Sequence, residues 1–222
     1  MSYLMLGIDT ATPTTTVALV RVHEDAVQVE VLDERSHRDP RRHGEVLPTL
    51  INEVLHGTRH TPGDLGGVAV GVGPGAYTGL RVGIATAEAL GLALKIPVTG
   101  VVTLDALAFA SGRSDPFAVV TDARRRQVFV ALYRDHRTPE GESTVGAPDA
   151  VASALDGRPV LAPPETPSLL GVDLVPCAPP SASALCEVAV DRLRAGLPAE
   201  PVTPRYLRHP EVAAPAGPKS VL

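Results

Sequence analysis

The chain has 222 residues, 44% of them hydrophobic, and a net charge of −5; this suits a folded protein of one large or two small domains rather than a disordered chain. Mild acidity weighs against a protein that grips nucleic acid by itself, because such binding draws on clustered positive charge. There is no run of about 18 apolar residues, so no membrane span is expected, and Met1-Ser2-Tyr3-Leu4 carries no basic leader of the kind that opens a signal peptide. Cys177 and Cys186 lack metal-ligand spacing and read as reduced thiols of a cytoplasmic protein. Of the 20 basic residues only Lys95 and Lys219 are lysine, a coding bias that lowers the weight of any single arginine.

Leu4–Asp9 and Thr15–Val20 are apolar runs separated by the turn-like Thr10–Thr14, which predicts a hairpin. Val27–Leu32 alternates as a third strand, and Ser36–His43 follows as a polar stretch with Arg38, Arg41 and Arg42. Gly44–His56 places Val46, Leu47, Leu50, Ile51, Val54 and Leu55 at helical spacing, with Gly57 just past the end. Val68–Val72 reads as a strand and Thr78–Lys95 as a long helix of small residues. A shorter version of the pattern restarts after Gly100: a helix at Thr103–Ser111, strands at Phe117–Thr121 and Gln127–Tyr133, and a short strand at Pro159–Ala162. Ser181 caps a last helix to about Leu197, with Leu185, Val188, Ala189 and Leu193 inward. Two unequal α/β halves are expected, 1–101 and 102–212, with a disordered tail over 213–222.

The segment Gly71–Lys95 carries the strongest signal. Glycines at a strand-to-helix junction free the backbone to turn and present N–H groups at a helix N-terminus, which reads as an anion cradle. The same glycines also serve a plain tight connection, and the segment lacks both a Gly-Lys-Ser/Thr ending and a Gly-x-Gly-x-x-Gly pattern. Along the helix, Gly79, Gly83, Ala87 and Gly91 share one face. Glycine inside a helix costs about 1 kcal/mol relative to alanine, so another backbone must come close. It belongs either to this chain's own sheet or to another subunit. If to another subunit, an arginine at Gly83 would block association and leave the fold intact.

Leu6-Gly7-Ile8-Asp9-Thr10-Ala11-Thr12, His43–Pro48, Gly73–Gly83 with Ala85-Thr86-Ala87, Pro97–Val101, Asp122-Ala123-Arg124 and Pro204–Arg208 together resemble the TsaB (YeaZ) family. The resemblance implies an actin-like, sugar-kinase-like fold with two domains, each a mixed sheet flanked by helices. It also implies a non-catalytic subunit that pairs with a TsaD-type catalytic paralogue and a TsaE-type ATPase. The complex moves threonylcarbamoyl from its adenylate to N6 of the adenosine beside the anticodon, in tRNAs reading codons that begin with A. tRNA would be met only through the complex. The subunit interface maps to Glu45, Pro48, Thr49, Asn52, Gly79, Leu80, Gly83, Ile84, Ala87 and Gly91, a surface that also serves a homodimer of the isolated chain. No cofactor is firmly implied; the resemblance leaves room for ATP or ADP at the level of the complex.

Departures from the family's catalytic relatives accompany the resemblance. The paralogue's two metal histidines lie one helical turn apart, whereas here His43 is followed at that offset by Leu47; His43 reads as a helix-entry or interface residue, and no metal is expected. Asp9 is followed by Thr10, Ala11, Thr12 and Pro13 rather than by the glycine of an actin-like phosphate loop. A vestigial nucleotide site would use Asp9, Thr10, Gly73, Gly75 and Thr78, which keeps an ATPase or phosphotransferase as the alternative activity. A peptidase is the more distant alternative, with neither His-Glu-x-x-His nor Gly-x-Ser-x-Gly present. Arg124, Arg125 and Arg126 read either as a solvated hairpin tip or as a contact to tRNA phosphate.

Overall fold

The computed structural model describes residues 1–24, 26–164, 166 and 173–207. The expected tail over 213–222 and Arg208 of the last motif lie outside them. The apolar run forms β1 (Ser2–Asp9), which returns through Thr10–Pro13 into β2 (Thr14–His23), with Asp9 opposite Thr16. β3 (Glu30–Arg38) completes the meander at the sheet edge. This corrects the expected strand over 27–32: Val27 lies before it, 78% exposed, and the strand continues through Ser36–Arg38, opposite Thr16–Thr14. An edge strand leaves one side to solvent, so charged residues that look like loop in sequence are accommodated.

α1 (His43–Gly57), β4 (Leu65–Gly71), α2 (Tyr77–Leu94) and β5 (Val98–Val101) follow. The sheet order is β3-β2-β1-β4-β5, with β4 parallel to β1 and β5 parallel to β4. The parallel pair β4–β5 needs a crossover, which α2 supplies. Leu6, Ile8, Val17 and Leu19 meet Leu47, Val54, Leu80 and Ile84 of α1 and α2. The intervening residues Met5, Ala18 and Val20 point to the other face, as the period of two requires.

The second half contains α3 (Thr103–Ser111), β6 (Phe117–Arg124), β7 (Gln127–Asp135), β8 (Thr138–Pro139), β9 (Thr144–Gly146), α4 (Pro148–Leu155), β10 (Val160–Ala162) and β11 (Leu174–Pro176). Its sheet runs β11-β10-β6-β7-β8, with β9 also on β7. α3 lies between the sheets: Ala106 joins the core of the first, while Leu104 and Leu107 meet Phe117 and Tyr133 of the second.

The last helix, α5 (Ala182–Arg194), does not follow the division at residue 101. It covers the far face of the first sheet, where Ala182, Leu185, Cys186, Ala189 and Val190 join Met5, Ala18 and Val20. Leu193, expected inward, is 47% exposed; the helix ends one residue later, and Cys186 and Val190 take the inward positions. Ser181 caps the helix by accepting the Ala184 N–H at 3.1 Å. Glu34 of β3 adds a second clasp, accepting the Ala182 N–H at 2.7 Å and the Ser183 hydroxyl at 2.8 Å, a carboxylate placed where the helix dipole favours it.

Candidate functional site

A cleft of about 480 Å³ separates the two sheets. Ala11–Pro13 and Pro74–Gly79 line it from the first half, Thr121–Arg125 and Phe129 from the second, and Tyr206 and Leu207 complete it. Of the residues expected at a vestigial nucleotide site, Gly75 and Thr78 line this cleft, and Asp9, Thr10 and Gly73 do not.

Asp9 is sealed under the hairpin at 0% exposure. Its Oδ1 accepts the Ala11 N–H at 2.8 Å and its Oδ2 the Thr103 hydroxyl at 2.7 Å. Burial pushes its carboxyl up to about 6, against the lowering effect of those two hydrogen bonds. The glycine turn is held against the first hairpin. The Ala76 N–H is spent on the Ala11 carbonyl at 3.2 Å, and a Cβ on Gly75 would meet that oxygen at 2.3 Å. His43 is buried, its Nδ1 sits 2.7 Å from the Thr15 hydroxyl, and burial lowers its pKa. Leu47 lies fully buried in the core one turn on.

The small face of α2 meets this same hairpin. The Thr10 hydroxyl donates to the Gly79 carbonyl at 2.7 Å and accepts the Gly83 N–H at 3.1 Å. These are the two ends of one i→i−4 rung, so the threonine inserts into the helix ladder. A Cβ at Gly79 would lie 2.4 Å from the Thr10 carbonyl oxygen, one at Gly83 2.4 Å from its hydroxyl. Gly79, Leu80, Gly83, Ile84, Ala87 and Gly91 are therefore buried inside this chain, which corrects their expected place on a subunit surface. Glu45, Pro48, Thr49 and Asn52 of α1 are exposed, as are Ala85, Ala89, Leu92 and Ala93 on the opposite side of α2.

At the start of α2, Tyr77 stacks on Tyr206 with ring centroids 5.0 Å apart. Arg81 lies over the Tyr77 ring at 4.0 Å and donates from Nε to the Tyr206 hydroxyl at 2.9 Å. The Arg205 N–H adds a 2.8 Å bond to the Val72 carbonyl. Two motif blocks far apart in sequence, Gly73–Gly83 and Pro204–Leu207, thus close on one another. Across the cleft, Arg124 and Arg125 line the wall and Arg126 is exposed beside them.

The family model described as "TsaD: tRNA N6-adenosine threonylcarbamoyltransferase" matches residues 30–162. An uncharacterized protein of Mycobacterium tuberculosis (strain ATCC 25618 / H37Rv) is 41% identical over 93% of this chain and 92% of its own length. The tRNA threonylcarbamoyladenosine biosynthesis protein TsaB of Bacillus subtilis (strain 168) is 35% identical over 59% of this chain and 55% of its own. The solved structure of YeaZ from Pseudomonas aeruginosa superposes with a TM-score of 0.72 at 26% identity, over 92% of this chain and 100% of that one.

This chain belongs to the TsaB (YeaZ) family. Its fold is the actin-like type, two mixed sheets flanked by helices. In this TsaB-family chain, sequence reasoning missed the Tyr77–Arg81–Tyr206 cluster, although all three residues stood inside the quoted motifs. It also missed the outer alanines of α2, whose signal was their recurrence at four-residue spacing beside the glycine row.

Proposed function

We propose that this chain is a partner subunit that binds and activates a TsaD-type catalytic protein. With that protein and a TsaE-type ATPase it serves the transfer of threonylcarbamoyl to N6 of the adenosine beside the tRNA anticodon, in the cytoplasm. The tRNA-modification half is supported by the matching family model and the Bacillus subtilis relative. The observation that carries the partner half is the outer face of α1 and α2. Leu92 is 83% exposed, flanked by Ala85 and Ala89, with Pro48, Thr49 and Asn52 exposed on the neighbouring helix. Covering such a face removes apolar surface from water, and its small side chains admit a partner helix closely, as in a bundle of two helix pairs. The same face would serve a homodimer of the isolated chain. The sealed Asp9 supports a binding role over ATP turnover by the chain itself, since its carboxyl does not line the cleft.

The test is co-purification with the TsaD-type protein of the same genome. Leu92→Asp is expected to abolish retention of that protein and leave the thermal midpoint of this chain unchanged. Retention at the wild-type yield would remove this face from the assembly.

A further inference from the structure

The helices α1 and α2 run side by side in one direction. β3 and β1 point the same way, each antiparallel to β2, and β4 and β5 are parallel to β1. Each helix therefore carries the chain back between parallel strands, and both finish at the same end of the first sheet. There each is closed by an exposed cation in the left-handed region, Arg59 at φ 61° and Lys95 at φ 58°. The helices α3 and α5 close instead on Gly112 and Gly196, at φ 62° and 66°, and glycine reaches this region unstrained. α4 closes on Asp156 at φ 48°, whose short side chain tolerates it. A cation near a helix C-terminus suits the dipole, but a place in the last turn serves that purpose without the strain. Strain of this kind persists where the side chain serves a function.

A groove of about 630 Å³ opens between α1 and α2 toward this end. Ile51, Leu55 and Leu90 give it an apolar floor, and the exposed Asn52, His56 and Arg59 stand at its rim. The wall beyond α1 is fixed by its own hydrogen bonds. The Thr58 hydroxyl donates to the Val54 carbonyl at 2.7 Å, and the Asp64 carboxylate accepts the Thr61 N–H at 2.7 Å and its hydroxyl at 2.8 Å. The groove is thus formed before any partner arrives. Among the described residues no carboxylate lines it; Glu53 and Glu88 are exposed earlier on the two helices. Neither Arg59 nor Lys95 forms an ion pair among those residues.

We infer that this groove anchors a helix of the TsaD-type partner that carries a bulky apolar side chain and, at the end toward Arg59 and Lys95, a carboxylate. The inference rests on the partner reading above and adds the chemistry of the partner's helix and the direction in which it lies. An apolar side chain seated on Leu55 and Leu90 leaves water and serves as the anchor. A carboxylate meets the two cations only when the helix lies one way round, so charge sets the orientation.

The test measures affinity for the TsaD-type protein of the same genome across a salt series. Asn52→Trp lays an indole over the groove from this chain's own helix, and about a tenfold loss is expected at every salt concentration. Arg59→Gly and Lys95→Gly place the residue that each left-handed position favours, so the thermal midpoint stays equal or rises. Each should lose about threefold at low salt, with the loss fading as salt rises, and Arg59→Lys should keep most of the wild-type affinity. Arg134→Gln, in β7 of the second half, is the control for bulk charge and should change nothing. Unchanged affinity in Asn52→Trp, or an equal loss in the control, would overturn the inference. So would a loss of self-association alone, which assigns the groove to a second copy of this chain. Failure of the partner reading shows separately, as wild-type chain that retains no TsaD-type protein. Retention lost in Leu92→Asp but complete in the groove variants overturns this inference and leaves that reading in place.

Discussion

The two faces of α2 are both rows of small residues, and they have opposite fates. The inner row, Gly79, Gly83, Ala87 and Gly91, is buried against the chain's own first hairpin and the residues leading into β5. The outer row, Ala85, Ala89 and Ala93 with Leu92, faces solvent. What separates them is glycine against alanine. Alanine is the best helix former and glycine costs about 1 kcal/mol more, so a helix keeps glycine where even one Cβ will not fit. At Gly83 that Cβ would lie 2.4 Å from the Thr10 hydroxyl. A glycine row therefore marks a contact made during folding. An exposed alanine row leaves room for a contact made afterwards, at a distance that includes the Cβ.

The largest effects should come from the inner row. Gly83→Arg is expected to abolish cooperative unfolding altogether, because its first side-chain carbon already meets the Thr10 hydroxyl and that hydroxyl is held by two hydrogen bonds. The milder Gly83→Ala should lower stability by about 1–3 kcal/mol, the usual range for overpacking, read from urea unfolding. A Gly83→Ala chain as stable as wild type would break the inner–outer distinction.

The floor of the hairpin offers an effect of similar size through pH. The folded chain holds Asp9 at about 6, up from 3.8, so it favours the neutral acid. The stability this gives is fully present below pH 3.8 and is lost as pH rises through about 6, a decline of roughly 3 kcal/mol across the window. Asp9→Asn keeps an oxygen for the Ala11 N–H and offers an amide to Thr103, with nothing to titrate. Its thermal midpoint should be flatter than that of wild type between about pH 4 and about pH 7. Equal slopes for the two chains would show that Asp9 titrates in solvent, and hence that the hairpin does not seal it.

Much of this arrangement was legible in the sequence where the determinants are local. The Thr10–Thr14 turn, the helices around Leu47 and Leu80, and the helix at Thr103–Ser111 all follow from periodicity and turn residues. β3 was misplaced because its pairing with β2, not its own pattern, extends it over Ser36–Arg38. The docking of α5 on the first sheet depends on Glu34 meeting Ser181 and Ser183, contacts that no local pattern encodes. In the candidate site, the crowding of Asp9 by Thr10 and Pro13 was visible, whereas the partner that completes its burial, Thr103, comes from a distant helix. The small-residue face of α2 was legible as a face, but its neighbour was not, since glycine spacing states how close a contact is and not which chain makes it.

A smaller effect is expected at the tyrosine clasp. Tyr206→Phe removes the hydroxyl that takes the Arg81 Nε–H but keeps the stack on Tyr77, so about 0.5–1.5 kcal/mol should be lost. A larger loss in thermal or urea unfolding would mean that the clasp holds more of the C-terminal segment than this one bond.

The smallest effect on stability belongs to the outer row. Leu92 is 83% exposed, so Leu92→Asp removes little packing and should stay within about 0.5 kcal/mol of wild type. Ala89→Arg should behave alike, since arginine is a good helix former and Ala89 is exposed. A drop of several kcal/mol would place Leu92 inside a contact of this chain and erase the difference between the two rows. Measured beside Gly83→Ala on the same helix, these variants separate folding from association. The inner substitution should cost stability in the isolated chain, and the outer ones should show their effect only when a second chain is present.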